Sequence, residues 1–363
     1  MTTQLPKEWP IARYRFDMCV TKTICWPDYA GSAIRGAIGR ALRKTACMTH
    51  RPTCPECMLY RTCPYSVLFE SAPPEEHVLQ KFSQIPHPYV VEAPAWGRHA
   101  SEPGEAFSFH MVLIGRALHQ LPLIIFAVQR AFAGEVAKGS AELVSVNVEV
   151  NGTYQTVYGA AQRSVVEHPK TVTLPDFPEP QNVTLCFATP LRLQNNGRNI
   201  GIREIEPGTL LNALVRRIGL LMEFHARKIE PDYSRLSALA RGIRCENQLR
   251  WQNWSRYSSR QDQKIRLGGG VGNFTLFDVP VELQTFLYLG QWTHLGKSAV
   301  FGLGKYKLLN KNQIWKKSRD GKDKIGTDPL ELNCEKPFTV GAGSNETLIS
   351  KGLRPQQEGY NHK

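Results

Sequence analysis

Apolar and polar positions alternate from Ile11 to Val20, which predicts a half-buried strand. The period then changes, and from Tyr29 to Lys44 the residues Ile34, Ile38 and Leu42 fall on one face of a helix. Tyr89 to Ala93 and Phe107 to Gly115 read as strands, Leu121 to Ala133 as a helix, and Glu142 to Val150 as a further strand. The resulting order, βαββαβ, is the ferredoxin-like pattern.

Residues 151–181 are punctuated by Gly152, Pro169, Pro175, Pro178 and Pro180 and read as a hairpin followed by a linker. The pattern then repeats. Val183 to Ala188 is a strand, and Pro207 to Ala226 is a helix with proline at its start and Leu210, Leu211, Leu214, Ile218, Leu221 and Met222 in helical register. A short helix at Tyr233 to Arg241 extends the crossover. Gln248 to Tyr257 and Gly270 to Phe277 are strands, Val281 to Leu289 a helix, and Ala299 to Leu308 a closing strand. The fold class expected is therefore α+β, with two tandem ferredoxin-like domains over residues 1–150 and 182–310. Residues 311–363 are rich in Lys, Asp, Gly and Asn and poor in large apolar side chains, so disorder is expected there.

Charge adds what periodicity cannot. The chain of 363 residues carries a formal charge of +13, and the excess is +2 over residues 1–150 against +8 over residues 151–310. A balance of this sign suits a polyanion, and the second half is where it concentrates. No uncharged apolar run approaches the roughly 20 residues a membrane span needs, and Met1 to Pro10 lacks the apolar stretch of a secretory signal. A cytoplasmic protein with no membrane partner is the expectation.

Two segments have the composition of a nucleic-acid contact. The first runs from His294 to Gly304, where Gly296, Gly302 and Gly304 let main chain approach a phosphate while Lys297 and Ser298 add a charge and a hydroxyl. The same glycines would serve equally in a tight helix-to-strand turn. The second, Arg256 to Gly270, interleaves Arg256, Arg260, Lys264 and Arg266 with Tyr257 and Gln261, a mixture suited to phosphates and unstacked bases. Trp251 and Trp254 just before it read as core residues of a strand. Arg35, near the start of the first helix, is placed to meet phosphate at a helix N-terminus or to form an interdomain ion pair.

Of nine cysteines, four fall in the pattern Cys47-x6-Cys54-x2-Cys57-x5-Cys63. Four thiolates with one close Cys-x2-Cys pair suit a structural zinc ion, with an iron–sulfur cluster or free thiols as the alternatives.

Taken in order, Gly31-Ser-Ala-Ile-Arg-Gly-Ala, the insert ending Cys63-Pro-Tyr-Ser-Val-Leu-Phe-Glu, Pro103-Gly-Glu, the Arg256 to Gly270 hairpin and the His294 to Gly304 loop resemble the CRISPR-associated endoribonucleases that process precursor CRISPR RNA. These are members of the RAMP superfamily of ferredoxin-like RNA-binding proteins. The resemblance implies repeat RNA as partner and mature CRISPR RNA as product, which such proteins retain in some effector complexes with other subunits. It also implies metal-independent cleavage, in which the neighbouring 2′-hydroxyl attacks the scissile phosphate and leaves a cyclic phosphate. That chemistry needs a base, an acid and a cation, and His294, His50 and Lys297 are the candidates, with His225 a weaker one at a helix end. Two other readings stand beside it: a non-catalytic RAMP subunit that lines the guide RNA, and a zinc-dependent DNA-binding regulator.

Overall fold

A computed structural model describes residues 5–74, 85–94, 97–159, 164–195, 197–258 and 263–309, with the main chain alone at 195, 254–258 and 263–267. The tail at 311–363 therefore lies outside the described residues.

In the first domain, β1 (Ile11–Lys22), α1 (Gly31–Ala46), β2 (Tyr89–Glu92), β3 (Ala106–Ile114), α2 (Leu121–Ala133) and β4 (Ser140–Val150) follow one another. A further strand, β5 (Thr153–Gly159), folds back on β4. The sheet order is β2-β3-β1-β4-β5, so β1 is central and pairs antiparallel with both β3 and β4. That is the ferredoxin-like arrangement with one strand added at the edge. The period-2 pattern of β1 sends Tyr14, Phe16, Met18 and Val20 under α1 and α2, where they join Ile34, Ile38, Leu42, Val128 and Phe132 in one core. α2 is apolar for most of its circumference and begins Leu121-Pro122, proline being tolerated in a first helical turn.

The second domain repeats the plan with β6 (Gln181–Leu191), α3 (Pro207–His225), α4 (Tyr233–Arg241), β7 (Arg244–Ser258), β8 (Gln263–Val279), α5 (Val281–Thr293) and β9 (Tyr306–Leu309). Its sheet order, β7-β8-β6-β9, matches the first four strands of the other domain. The closing strand begins at Tyr306 rather than at Ala299. Residues Ala299–Phe301 form a single 3-10 turn, and the left-handed glycines at 302 (φ 89°) and 304 (φ 66°) hold the chain out of a ladder until Lys305.

The two domains share apolar surface. Trp9, Ile11, Val90, Val112 and Ile114, from the first domain's strands and the residues leading into β1, are buried with Leu211, Leu214, Phe286 and Leu287 of the second. β2 is thus used on both sides: Tyr89 and Val91 enter the first core, Val90 the second. Among the described residues, no helix is long and apolar enough to cross a membrane.

Candidate nucleic-acid interface

The loop that closes the second domain was expected to cradle a phosphate, and its geometry assigns it another task. His294 has no exposed surface and sits at φ 56°. Its Nε2–H donates to Oε1 of Glu92, 2.9 Å away, and Glu92 is itself only 2% exposed. Glu92 also pairs with Arg13 at 3.1 Å and with Lys305 at 2.9 Å, and Arg13 reaches Glu149 at 2.7 Å. Arg13 Nη2, the nitrogen beside Glu92, also donates to the carbonyl of Gln291 at 2.6 Å. Two cations and two carboxylates thus meet at the domain seam, Lys305 reaching across it to Glu92, and His294 completes the set as a neutral donor.

The electrostatics agree. Burial alone would push the Glu92 carboxyl up, but Arg13 and Lys305 hold it well below the carboxylate range. Burial lowers the His294 imidazole, and Arg13 and Lys305 oppose a further positive charge, although its bond to Glu92 works the other way. A charged His294 would leave three cations against two carboxylates, with His294 and Glu92 themselves shut off from water. His294 is therefore a buried seam residue and does not meet a phosphate.

The glycines follow the same logic. A Cβ at Gly304 would overlap the Leu295 carbonyl, one at Gly296 the Arg192 carbonyl, and one at Gly302 both Tyr29 and the Val91 carbonyl. The loop's N–H groups are largely used at home. Lys297 N–H donates to the Arg192 carbonyl at 2.8 Å, Gly302 N–H to Ala299 at 2.7 Å, and Gly304 N–H to Pro190 at 3.1 Å. Tyr29 adds a hydroxyl bond to the Phe301 carbonyl at 2.6 Å. In this structure the three glycines serve close packing, Gly302 against the first domain and Gly296 and Gly304 within the second; the loop leaves at the surface the Lys297 side chain, with Ser298 half-buried in a left-handed turn.

Arg35 lies at the same seam. Its guanidinium stands 5.1 Å from the ring centroids of Phe69 and of Phe301, and 5.8 Å from that of Tyr89. It is held by aromatic faces and, among the described residues, forms no interdomain ion pair. His225, at the end of α3, is buried, and its Nε2–H donates to the Pro86 carbonyl at 2.6 Å; burial pushes its imidazole down to about 4. It too faces inward.

His50 is exposed, with φ 50°, in the cysteine insert that follows α1. The seam loop touches the other end of that helix, where Gly31 packs under the Phe301 carbonyl. Sixteen residues of helix separate the two ends, about 24 Å at 1.5 Å per residue. His50 and the pair His294 and Lys297 therefore do not meet in one catalytic site.

The basic hairpin is placed differently. β8 pairs with β6 only as far as Gly270, but with β7 from Arg244↔Phe277 out to Ser258↔Gln263. From Gly270 back toward Gln263 the two strands run on as a ribbon with no third strand among the described residues. Along it Arg256 pairs with Ile265, Tyr257 with Lys264, and Ser255 with Arg266. Arg260 and Gln261 lie outside the described residues. Trp251, expected in the core, is 50% exposed on this edge strand. Its indole lies over Gly268, where a Cβ would meet the ring, and its Nε1–H donates to Asn253 at 2.7 Å. Sequence reasoning missed Trp251 as a surface aromatic because a tryptophan in a strand is ordinarily buried; the signal was the facing Gly268, which vacates the space for a ring.

In the insert, Cys47, Cys54, Cys57 and Cys63 all line one small cavity of about 20 Å³, together with Thr49, Leu59, Tyr60 and Tyr65. Thr49 Oγ1 lies 3.2 Å from the Cys57 sulfur. Among the described residues, no three His, Cys, Asp or Glu side chains stand close enough together to grip an ion as they are.

Residues 9–170 match a family described as an N-terminal domain, and residues 185–306 match the family of the CRISPR-associated endoribonuclease Cas6. No curated protein sequence matches the chain. Among solved structures, a Cas6 product complex is similar at 15% identity and TM-score 0.51, covering 82% of this chain and 100% of that one. Thermus thermophilus Cas6 follows at 15% identity and TM-score 0.47, covering 84% and 100%. A partial Cas6–RT–Cas1–Cas2 complex is similar at 15% identity and TM-score 0.49, covering 84% of this chain; the chain spans 47% of the length of that protein. The first of these likenesses supports the tandem ferredoxin-like fold. The second ferredoxin-like domain of this chain is thus similar, over residues 185–306, to the CRISPR-associated endoribonuclease Cas6 family.

Proposed function

We propose that the chain binds CRISPR repeat RNA and cuts it within the repeat by attack of a 2′-hydroxyl on the adjacent phosphate, with no metal needed for the cleavage. One observation carries this reading: residues 185–306 match an endoribonuclease family. The RNA runs along the β7–β8 ribbon, with Trp251 as a stacking platform, Arg256, Tyr257, Lys264 and Arg266 along the two arms, and Lys297 as a separate point charge. His50 is the base for the 2′-hydroxyl, since it is the candidate histidine that stands in solvent, and Lys44 and Arg51, exposed in the same stretch, supply positive charge. The mature RNA stays on the ribbon and enters an effector complex with it.

The burial of His294 favours a second reading, because it removes one of the two leading histidines from the chemistry. In that reading the chain is a RAMP subunit that holds the guide RNA without cutting it. End-labelled repeat RNA incubated with the purified chain in EDTA separates the two. One cut bearing a cyclic phosphate, lost in His50→Ala with RNA affinity unchanged, supports the nuclease. Intact RNA held tightly sinks it in favour of the scaffold, and tighter binding of duplex DNA than of repeat RNA sinks both.

A further inference from the structure

The cysteine insert poses a physical problem that RNA binding does not answer. From Cys47 to Cys63 not one residue is buried, and Met48 and Met58 are 76% and 90% exposed. Seventeen residues without a core of their own have little apolar burial to offset the entropy of ordering them, on the order of 1 kcal/mol or more for each backbone. Main-chain bonds are few and local, from Cys57 N–H to Cys54, Tyr60 N–H to Cys57 and Cys63 N–H to Leu59. Arg43 donates to the carbonyls of Arg51 and Pro52, and so tethers one side of the insert to α1.

What the insert does hold in common is sulfur. All four of its cysteines turn toward the same cavity of about 20 Å³, and none of the four is exposed. That volume admits about one atom-sized guest. The two turns Cys54 to Cys57 and Cys57 to Tyr60 each close with an N–H to carbonyl bond of 2.9 Å, so the chain reverses around the middle pair of thiols. Cys47 follows directly on the end of α1, and Cys63 precedes the short helical segment Ser66–Glu70 that packs on it through Phe69 and Gly39. The first and last sulfurs thus stand on anchored structure and the middle two on the loop between.

We propose that this cavity is a structural tetrathiolate site for one divalent zinc ion, which draws Cys54 and Cys57 in toward Cys47 and Cys63 and so staples the insert to the end of α1. The thiols are not gathered to ligand distance as they stand, and the ion supplies the free energy for the remaining movement. A soft, four-sulfur donor set without carboxylate or exposed water position suits zinc in a closed, structural role. Each thiol that binds gives up its proton to solvent and no electron is transferred. The inference is independent of the nuclease reading, since a scaffold subunit would need the insert ordered just as much.

The test uses the full chain purified without chelator or added metal. Elemental analysis is expected to give about one zinc per chain, and a mercurial thiol reagent should release it as about four thiols react. Replacement by Co(II) should give sulfur-to-cobalt charge-transfer bands and the visible absorption of a tetrahedral ion. Metal content should drop at least ~5-fold in C54S/C57S and stay unchanged in C19S/C245S, whose cysteines lie elsewhere in the fold. Should the first variant precipitate, trypsin answers on the unaltered chain: cutting after Arg61, exposed in the insert and followed by Thr62, should accelerate about 10-fold when a strong chelator is added. A chain without bound metal that takes up no Co(II), metal retained in full by C54S/C57S, or iron with acid-labile sulfide in place of zinc would each overturn the proposal.

Discussion

The seam loop from His294 to Gly304 and the ribbon formed by β7 and β8 sit in one domain, and both combine glycines with positive charge, yet their surroundings are opposite. The loop is wedged between domains. Its glycines carry no side chain because carbonyls of Leu295, Arg192 and Val91 occupy the space, and its histidine is part of a closed ion network. The ribbon leaves the sheet after Gly270, and its aromatic Trp251 is half in water. Glycine beside Lys or Arg therefore carries two meanings. Where main-chain donors are consumed by main-chain acceptors the glycine is there for packing, and where a strand pair runs beyond its sheet it makes room for a surface ring.

The largest effect is expected at the seam's centre. Glu92→Gln keeps the shape but leaves Lys305 and part of Arg13 without their carboxylate in a buried site. Breaking a buried ion pair by removing one partner costs roughly 3–5 kcal/mol, so the chain should unfold at markedly lower denaturant. A change under 1 kcal/mol in that titration would mean that the seam is hydrated and that the contrast with the ribbon fails.

Next comes a pair of glycines. Gly304→Ala must place a Cβ against the Leu295 carbonyl at φ 66°, at a cost of about 3 kcal/mol or more and a fall of roughly 6–12 °C in the unfolding midpoint. Gly268→Ala meets only the Trp251 ring, which is half exposed and free to turn, so stability should change by less than about 1 kcal/mol while RNA binding weakens. Equal thermal shifts for the two would break the distinction between a packing glycine and a ring-seating one.

Acid should loosen the seam before it touches the ribbon. His225, bonded to Pro86, is held at about 4, and His87, half-buried beside Ser71 Oγ at 2.8 Å, at about 3. Burial is the first cause in both. Each has a folded pKa below its unfolded value near 6.5, so the unfolded chain takes up protons that the native one refuses. Their contribution is complete above pH 6.5 and is lost as the pH falls toward 4 and 3, at roughly 1 kcal/mol per pH unit for each. His294 acts in the same direction, and the Glu92 contribution, complete above its unfolded value near 4.5, is lost only below it. Denaturant unfolding between pH 7 and 5 should show the slope, and His225→Gln should reduce it by about one proton's worth. A flat profile would mean that these histidines are hydrated.

How much of this was legible in the sequence depends on the range of the interactions involved. The two βαββαβ units follow from local periodicity, and Leu121–Ala133 and Tyr233–Arg241 have the bounds the pattern indicates. The closing strand does not, because its start is set by Gly302 meeting Tyr29 and Val91 of the first domain, a contact that no local window contains, and by Gly304 folding against the Leu295 carbonyl. The ion network was missed for the same reason. Its one local trace is Glu92, a carboxylate in the strand Tyr-Val-Val-Glu that is otherwise apolar and buried throughout; such a residue needs partners, and those partners are 79 and 202 residues away. His294 looked like a reactive group because glycines and Lys297 flank it, whereas its side chain answers to Glu92 of the other domain.

The smallest effect is also the one that tests the contrast most directly, since it compares a residue from each region in one assay. Trp251→Ala removes a half-exposed ring at the root of the ribbon, and loss of one base-stacking contact costs about 1–3 kcal/mol, so affinity for repeat RNA should fall by about 10-fold or more. Its dependence on salt should hardly change, because no charge is lost. Lys297→Ala removes an exposed cation from a loop in which the Lys297, Gly302 and Gly304 N–H groups are already engaged, so affinity should fall only about 2–3-fold, with the slope of log K against log salt reduced by about one. Fluorescence anisotropy with labelled repeat RNA at several salt concentrations measures both. If Lys297→Ala proved the more damaging, and its loss persisted at high salt, the glycine loop would be contacting RNA through more than one point charge. The ribbon would then be the secondary contact, and the packing account of Gly296, Gly302 and Gly304 would have to admit a second, RNA-facing role.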